Sequence, residues 1–139
     1  MEADAKDSGA PCCLLVNPLK LIKSLFVSAP RFAATDCFER VRSGAALLID
    51  VREPREWIEG IAEHAVLLPL SDLTGGRAQW KPFLAANSNR ELLLYCGAGV
   101  RSAMAARVLA SESVRAANAG SFAEWSAAGW PVVRPVTSR

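Results

Sequence analysis

Short unbroken apolar runs alternate along the chain with stretches whose apolar residues recur at helical spacing. The runs "ALLID" (46–50), "AVLLPL" (65–70), "LLLY" (92–95) and "VRAAN" (114–118) read as strands. An apolar run without alternation fits a strand covered on both faces, as in a parallel sheet. Between them lie helical patterns: "TDCFERVRSG" (35–44), with Thr35 or Asp36 as cap and Gly44 as stop; a helix opening near Pro54; and one carrying Trp80, Phe83 and Leu84. From Ser102 onward Met104 and Val108, and Ala105 and Leu109, lie four apart and give one apolar stripe, with Arg107 and Ser111 directed elsewhere. "SDL" (71–73) reads as a turn, "GSFAEWSAAG" (120–129) as a last helix and "WPVV" (130–133) as the close. Strands alternating with helices predict an α/β fold with a central, mostly parallel sheet flanked by helices.

Ahead of this pattern, residues 1–34 form a separate N-terminal portion, and the compact domain is expected over 35–139. Residues 1 to 12 are small and polar and are expected to be disordered. In "LLVNPLKLIKSLFVSAPRF" (14–32) Leu15, Leu19, Ile22 and Phe26 share a helical face, while Lys20, Lys23 and Ser24 fall elsewhere and Pro18 and Pro30 limit the helix. It is expected to pack on the domain; the alternatives for residues 14–27 are a membrane surface or a protein partner.

A length of 139 residues with 51% hydrophobic and 22% charged content suits one globular domain. A net charge of +2 with scattered basic residues predicts no nucleic-acid partner. The acidic, polar opening "MEADAKDSGA" is unlike a targeting peptide, and no apolar run approaches a membrane span, so a cytoplasmic protein is expected. Cys12, Cys13, Cys37 and Cys96 show no paired zinc spacing, and the one histidine, His64, has no ligand-like neighbour, so no metal is expected. Cys12 and Cys13 read as tail thiols, with a disulfide or sulfur relay as the alternative, and Cys37 as a packed helical residue. Trp57, Trp80, Trp125 and Trp130 all read as core residues.

The chemistry gathers at "LLLYCGAGVRSAMAA" (92–106). Cys96 ends a buried strand, and the loop Gly97-Ala98-Gly99-Val100-Arg101 leads to a helix. In α/β sheets that gap collects unpaired amides and a helix dipole. A thiol there, with the Arg101 cation beside it, loses its proton more easily, and the thiolate is the reactive form. The competing reading is a small buried cysteine that only packs.

Three blocks give a resemblance to the single-domain rhodanese family of sulfurtransferases over about residues 35 to 133: "LLIDVREPREWIEGIAEHAVLLPL", "LLLYCGAGVRSAMAA" and "NAGSFAEWSAAGWPV". The family has His-Ile after the turn glycine and Gly-Ala before the next strand. Here Ile61-Ala62 follow Gly60, and His64 precedes Ala65. The resemblance implies a rhodanese-like sheet with helices on both sides and Cys96 as nucleophile. It further implies a sulfane sulfur held as a persulfide by the backbone from Gly97 through Ala98, Gly99, Val100 and Arg101 to Ser102. The implied partners are a small anionic donor such as thiosulfate and a thiophilic acceptor such as cyanide or a thiol, with no cofactor. A protein donor or acceptor is the alternative, as for a persulfide carrier. Asp50 and Arg52 stand at the preceding strand end, where an ion pair tying two loops together is expected ahead of a chemical role. Related folds also host phosphatases, but tyrosine-type phosphatases place five residues between cysteine and arginine. Four separate Cys96 from Arg101, and the shorter cradle suits one added sulfur.

Overall fold

The computed structural model describes residues 28–135. Their elements run α1 (Ala34–Ser43), β1 (Ala46–Asp50), α2 (Pro54–Trp57), β2 (Ile61–Ala62), β3 (Val66–Leu67), α3 (Leu70–Leu73) and α4 (Trp80–Ala86). They continue with β4 (Glu91–Cys96), α5 (Val100–Ser111), β5 (Ala116–Ser121), α6 (Phe122–Ala127) and β6 (Val132–Val133). The readings for residues 14–27, Cys12 and Cys13 lie outside the described residues.

Strands β3, β1, β4 and β5 form one parallel sheet in that order, and β2 pairs antiparallel with β6. The central strand β4 explains its own sequence. Leu92, Leu94 and Cys96 face one way, into a cluster with Leu73, Trp80, Ala105, Ala106 and Leu109. Leu93 and Tyr95 face the other, against Cys37, Val41 and Trp125. Because successive side chains alternate across a strand, burial on both faces requires an uninterrupted apolar run. Helices α3, α4 and α5 thus cover one face, and α1 and α6 the other.

Local signals set several element ends. Helix α1 stops at left-handed Gly44, and α2 opens at Pro54 with a capping box from Glu53 and Glu56. Neither Thr35 nor Asp36 caps α1: the helix starts at Ala34, and the Asp36 amide donates to the Ala33 carbonyl. Helix α5 starts at Val100, earlier than Ser102. Its buried face is Ser102, Ala105, Ala106 and Leu109, whereas Met104 is exposed. Small residues on that face let the helix lie close against β4 and β5. "SDL" falls in the one-turn helix α3, and "AVLLPL" contributes only Val66–Leu67 to the sheet.

Trp80, Trp125 and Trp130 are core residues, and their indole N–H groups donate to the carbonyls of Pro69, Ala119 and Glu63. Trp57 differs: it is only half-buried, and its buried indole nitrogen has no hydrogen-bond partner. Where the resembling family carries glycine, His64 adopts a left-handed backbone with φ 73°, which costs an L-residue about 1 kcal/mol.

Candidate active site

Strand β4 delivers Cys96 to the carboxyl edge of the sheet, and Gly97, Ala98 and Gly99 turn the chain into α5. Gly99 is the N-cap at φ 91°, a left-handed conformation that glycine adopts without steric cost. The turn folds the amides back onto the sulfur. The Gly99 amide donates to Cys96 Sγ at 3.0 Å, the Ser102 amide at 3.3 Å, and Ser102 Oγ lies 3.4 Å away. Cys96 is fully buried. Burial pushes the thiol up, but the Ser102 hydroxyl and the amides of Ser102, Ala98 and Gly99 outweigh it and hold the thiol below its ordinary range.

Beneath the loop lies Asn118, a residue the sequence reading missed. Ser102 Oγ is 2.7 Å from Asn118 Oδ1, which also accepts from the Gly120 amide at 3.0 Å, while Asn118 Nδ2 donates to the Gly99 carbonyl at 3.3 Å. One hydroxyl proton cannot serve Asn118 and the sulfur together. The shorter contact assigns it to Asn118 when the sulfur is a thiol, and rotation of the hydroxyl can turn it to a thiolate. Asn118 reaches this position because it pairs with Leu94, and alternation along β5 turns it, like Ala116, to the α5 side of the sheet. Its backbone is fixed by Pro30 and Phe32, which pair with it at 2.9 Å on the outer edge of β5. A polar asparagine inside the apolar strand "AANAG" was the one signal available.

Arg101 stands beside the loop, but its guanidinium is engaged. It donates to both carboxylate oxygens of Glu56, at 2.8 and 2.9 Å. The hydrogen bonds from Arg101 prevail over partial burial and hold the Glu56 carboxyl near a pKa of about 2. The groups that do most to lower the Cys96 thiol are thus the Ser102 hydroxyl and the loop amides, and the Arg101 cation, which also feels the Cys96 charge, is matched by a carboxylate. The pair lies over Gly97: a Cβ built there would stand 3.0 Å from Arg101 Nη2 and 3.7 Å from Glu56 Oε2. Sequence gave no signal for this contact across 45 positions.

Asp50 and Arg52 form a second, buried pair. Arg52 donates through Nε and Nη2 to the Asp50 carboxylate, and Nη2 reaches the Gly60 carbonyl at 2.7 Å. Tyr95 Oη donates to Asp50 at 2.6 Å and accepts from the Ala62 amide at 2.9 Å. Burial first, then the neighbouring Asp50, drives the Tyr95 phenol far up, so it stays protonated as a donor. The cluster fastens the end of β1 to the Gly60 turn and to the residue preceding Cys96.

Among the described residues no three His, Cys, Asp or Glu gather as metal ligands, and no helix is long and apolar enough to cross a membrane. Cys37 is buried against the opposite face of the sheet, where burial pushes its thiol up to about 11.

Several solved structures share this fold. A rhodanese-related protein of Thermoplasma volcanium is 29% identical, with a TM-score of 0.64 over 76% of this chain and 99% of its own. The human single-domain sulfurtransferase TSTD1 is 28% identical, with a TM-score of 0.56 over 71% of this chain and 96% of its own. A Rhodopseudomonas palustris protein described as a possible tyrosine phosphatase is 25% identical, with a TM-score of 0.63 over 90% of this chain and 100% of its own. No curated protein matches the chain. The family model of the rhodanese-like domain matches residues 34–128, which contain the sheet, the Cys96 loop and its supporting ion pairs, and the chain therefore belongs to the rhodanese-like domain family.

Proposed function

We propose that the protein is a sulfurtransferase that carries a sulfane sulfur on Cys96. The observation that carries this reading is the pair of amides aimed at one buried sulfur, Gly99 at 3.0 Å and Ser102 at 3.3 Å, with the Ser102 hydroxyl 3.4 Å away and able to turn to the thiolate. A persulfide needs such a nest because its outer sulfur is anionic and must be kept from water and stray thiols. With thiosulfate as donor, the Cys96 thiolate attacks the outer sulfur, the S–S bond of thiosulfate breaks, and sulfite leaves with the electron pair. In the second step a thiophile such as cyanide takes that sulfur and the Cys96 thiolate returns. The amides of the loop from Gly97 to Ser102 hold the charge, and no cofactor enters the scheme. The buried Asp50–Arg52 pair acts by positioning the strand ends. Four residues between Cys96 and Arg101 make a cradle narrower than that of tyrosine-type phosphatases, which favours sulfur over a phosphoryl group.

Intact-protein mass spectrometry tests this directly. Thiosulfate treatment is expected to add about 32 Da, one sulfur atom, and cyanide to remove it. A mass unchanged by thiosulfate and by inorganic polysulfide would reject the reading.

Ser102→Ala is expected to raise the Cys96 thiol pKa, because it deletes a donor that favours the charged form. Thiolate reacts and thiol does not, so the pH profile of iodoacetamide alkylation should move to higher pH. An unmoved profile would show that the amides alone hold the thiolate.

A further inference from the structure

The sequence places Arg101 where an anionic donor would arrive, yet the folded chain fills that fork with its own carboxylate. We propose that Glu56 is a specificity-determining residue: by occupying Arg101 at the mouth of the Cys96 loop, it disfavours dianionic thiosulfate and favours organic persulfides as sulfur donors. The inference rests on Cys96 being the sulfur acceptor and names the class of molecule that supplies it.

Three observations converge. The contact is fork to fork, so both carboxylate oxygens face the two guanidinium nitrogens that would otherwise bind two oxygens of a sulfonate. The carboxylate is anchored before any ligand arrives, because Glu56 Oε1 also accepts from the Glu53 amide at 2.9 Å as half of the α2 capping box. The pair also lies over Gly97, the residue that follows the nucleophile. A dianion approaching Cys96 therefore meets a carboxylate whose cation is already neutralised, and must displace it to reach Arg101. Val100, the residue between Gly99 and Arg101, is 73% exposed and gives the fork an apolar neighbour that can meet the organic part of a donor.

For a persulfide R–S–SH the step balances without a cation. The Cys96 thiolate attacks the outer sulfur, the S–S bond of the donor breaks, R–S⁻ leaves with the electron pair and takes up the proton of the transferred sulfur, and the Cys96 persulfide anion remains in the amide nest. The net charge is minus one on both sides. With thiosulfate, three negative charges must gather at the loop, and there the fork held by Glu56 would count most.

The test compares thiosulfate with glutathione persulfide on wild type, Glu56→Gln and Glu56→Gln/Arg101→Ala, reading sulfur transfer to cyanide and the mass of Cys96. Glutamine keeps an oxygen for the Glu53 amide, so α2 keeps its cap. Glu56→Gln is expected to raise kcat/KM for thiosulfate about tenfold, chiefly through a lower KM, and to leave glutathione persulfide within about twofold. Removing Arg101 in that background should erase the gain. An unchanged or reduced thiosulfate kcat/KM in Glu56→Gln, or a gain that survives the loss of Arg101, would overturn the proposal while leaving the persulfide chemistry standing. Failure of both donors to load Cys96 in every variant would instead overturn the sulfurtransferase reading and this inference with it.

Discussion

Cys96→Ser is expected to abolish sulfur transfer while leaving the fold and its stability nearly unchanged. Serine is close to cysteine in shape, and its hydroxyl can accept from the same Gly99 and Ser102 amides, so the loop loses no partner. An alcohol far from its pKa is a poor nucleophile toward sulfur, and the activity should fall by several orders of magnitude, to background. No other described cysteine can substitute. Cys37 lies against the opposite sheet face, and burial holds its thiol near 11, so it is protonated at neutral pH. The complementary variant, with Cys12, Cys13 and Cys37 all changed to alanine, should keep its activity in a coupled thiocyanate assay. An active Cys96→Ser protein beside an inactive triple variant would move the chemistry away from Cys96.

The contrast between Cys96 and Glu56 shows which parts of this molecule are legible in the chain. Leu92 to Tyr95 declare a strand buried on both faces because the period of a strand is fixed, and a cysteine at the end of that run followed by two glycines places itself at the sheet edge. Pro54 and Gly44 mark helix ends because their backbone preferences act within one turn. The Glu56 carboxylate carries no such mark: its partner Arg101 is brought near only by the parallel order of β1 and β4. Met104 misled for a related reason. Its spacing from Val108 fits a helix face, yet the sheet selects the face of Ser102, Ala105, Ala106 and Leu109, whose small side chains allow closer approach. Asn118 faces Ser102 by ordinary alternation along β5, but that β5 lies beside β4 with α5 over both is topology that no pattern in either strand predicts. Fold class follows from local period, whereas the polar contacts that tune the site follow from topology.

Arg52→Ala is expected to be the most destabilising single change at a charged residue. It leaves the Asp50 carboxylate fully buried, with only the Tyr95 hydroxyl and the backbone amide of residue 52 as donors. Removing one partner of a buried ion pair costs about 3 to 5 kcal/mol, because the remaining charge cannot recover its hydration. In a domain whose whole stability is about 5 to 15 kcal/mol, the loss should lower Tm by roughly 10 to 30 °C. The same deletion frees the Gly60 carbonyl, which Arg52 Nη2 reaches at 2.7 Å, so the turn between α2 and β2 loosens as well. Adding Asp50→Asn to Arg52→Ala should restore part of the stability: the amide removes the unpaired charge, its Oδ1 still accepts from the residue 52 amide, and its Nδ2 can donate to Tyr95 Oη. Urea unfolding followed by circular dichroism measures all three proteins. If Arg52 acts only by positioning the strand ends, Arg52→Ala held well below its Tm should still load sulfur onto Cys96. A loss of less than about 1 kcal/mol would show that water or a shifted neighbour replaces the guanidinium, and loss of sulfur loading in a protein still folded would give Arg52 a part in the chemistry.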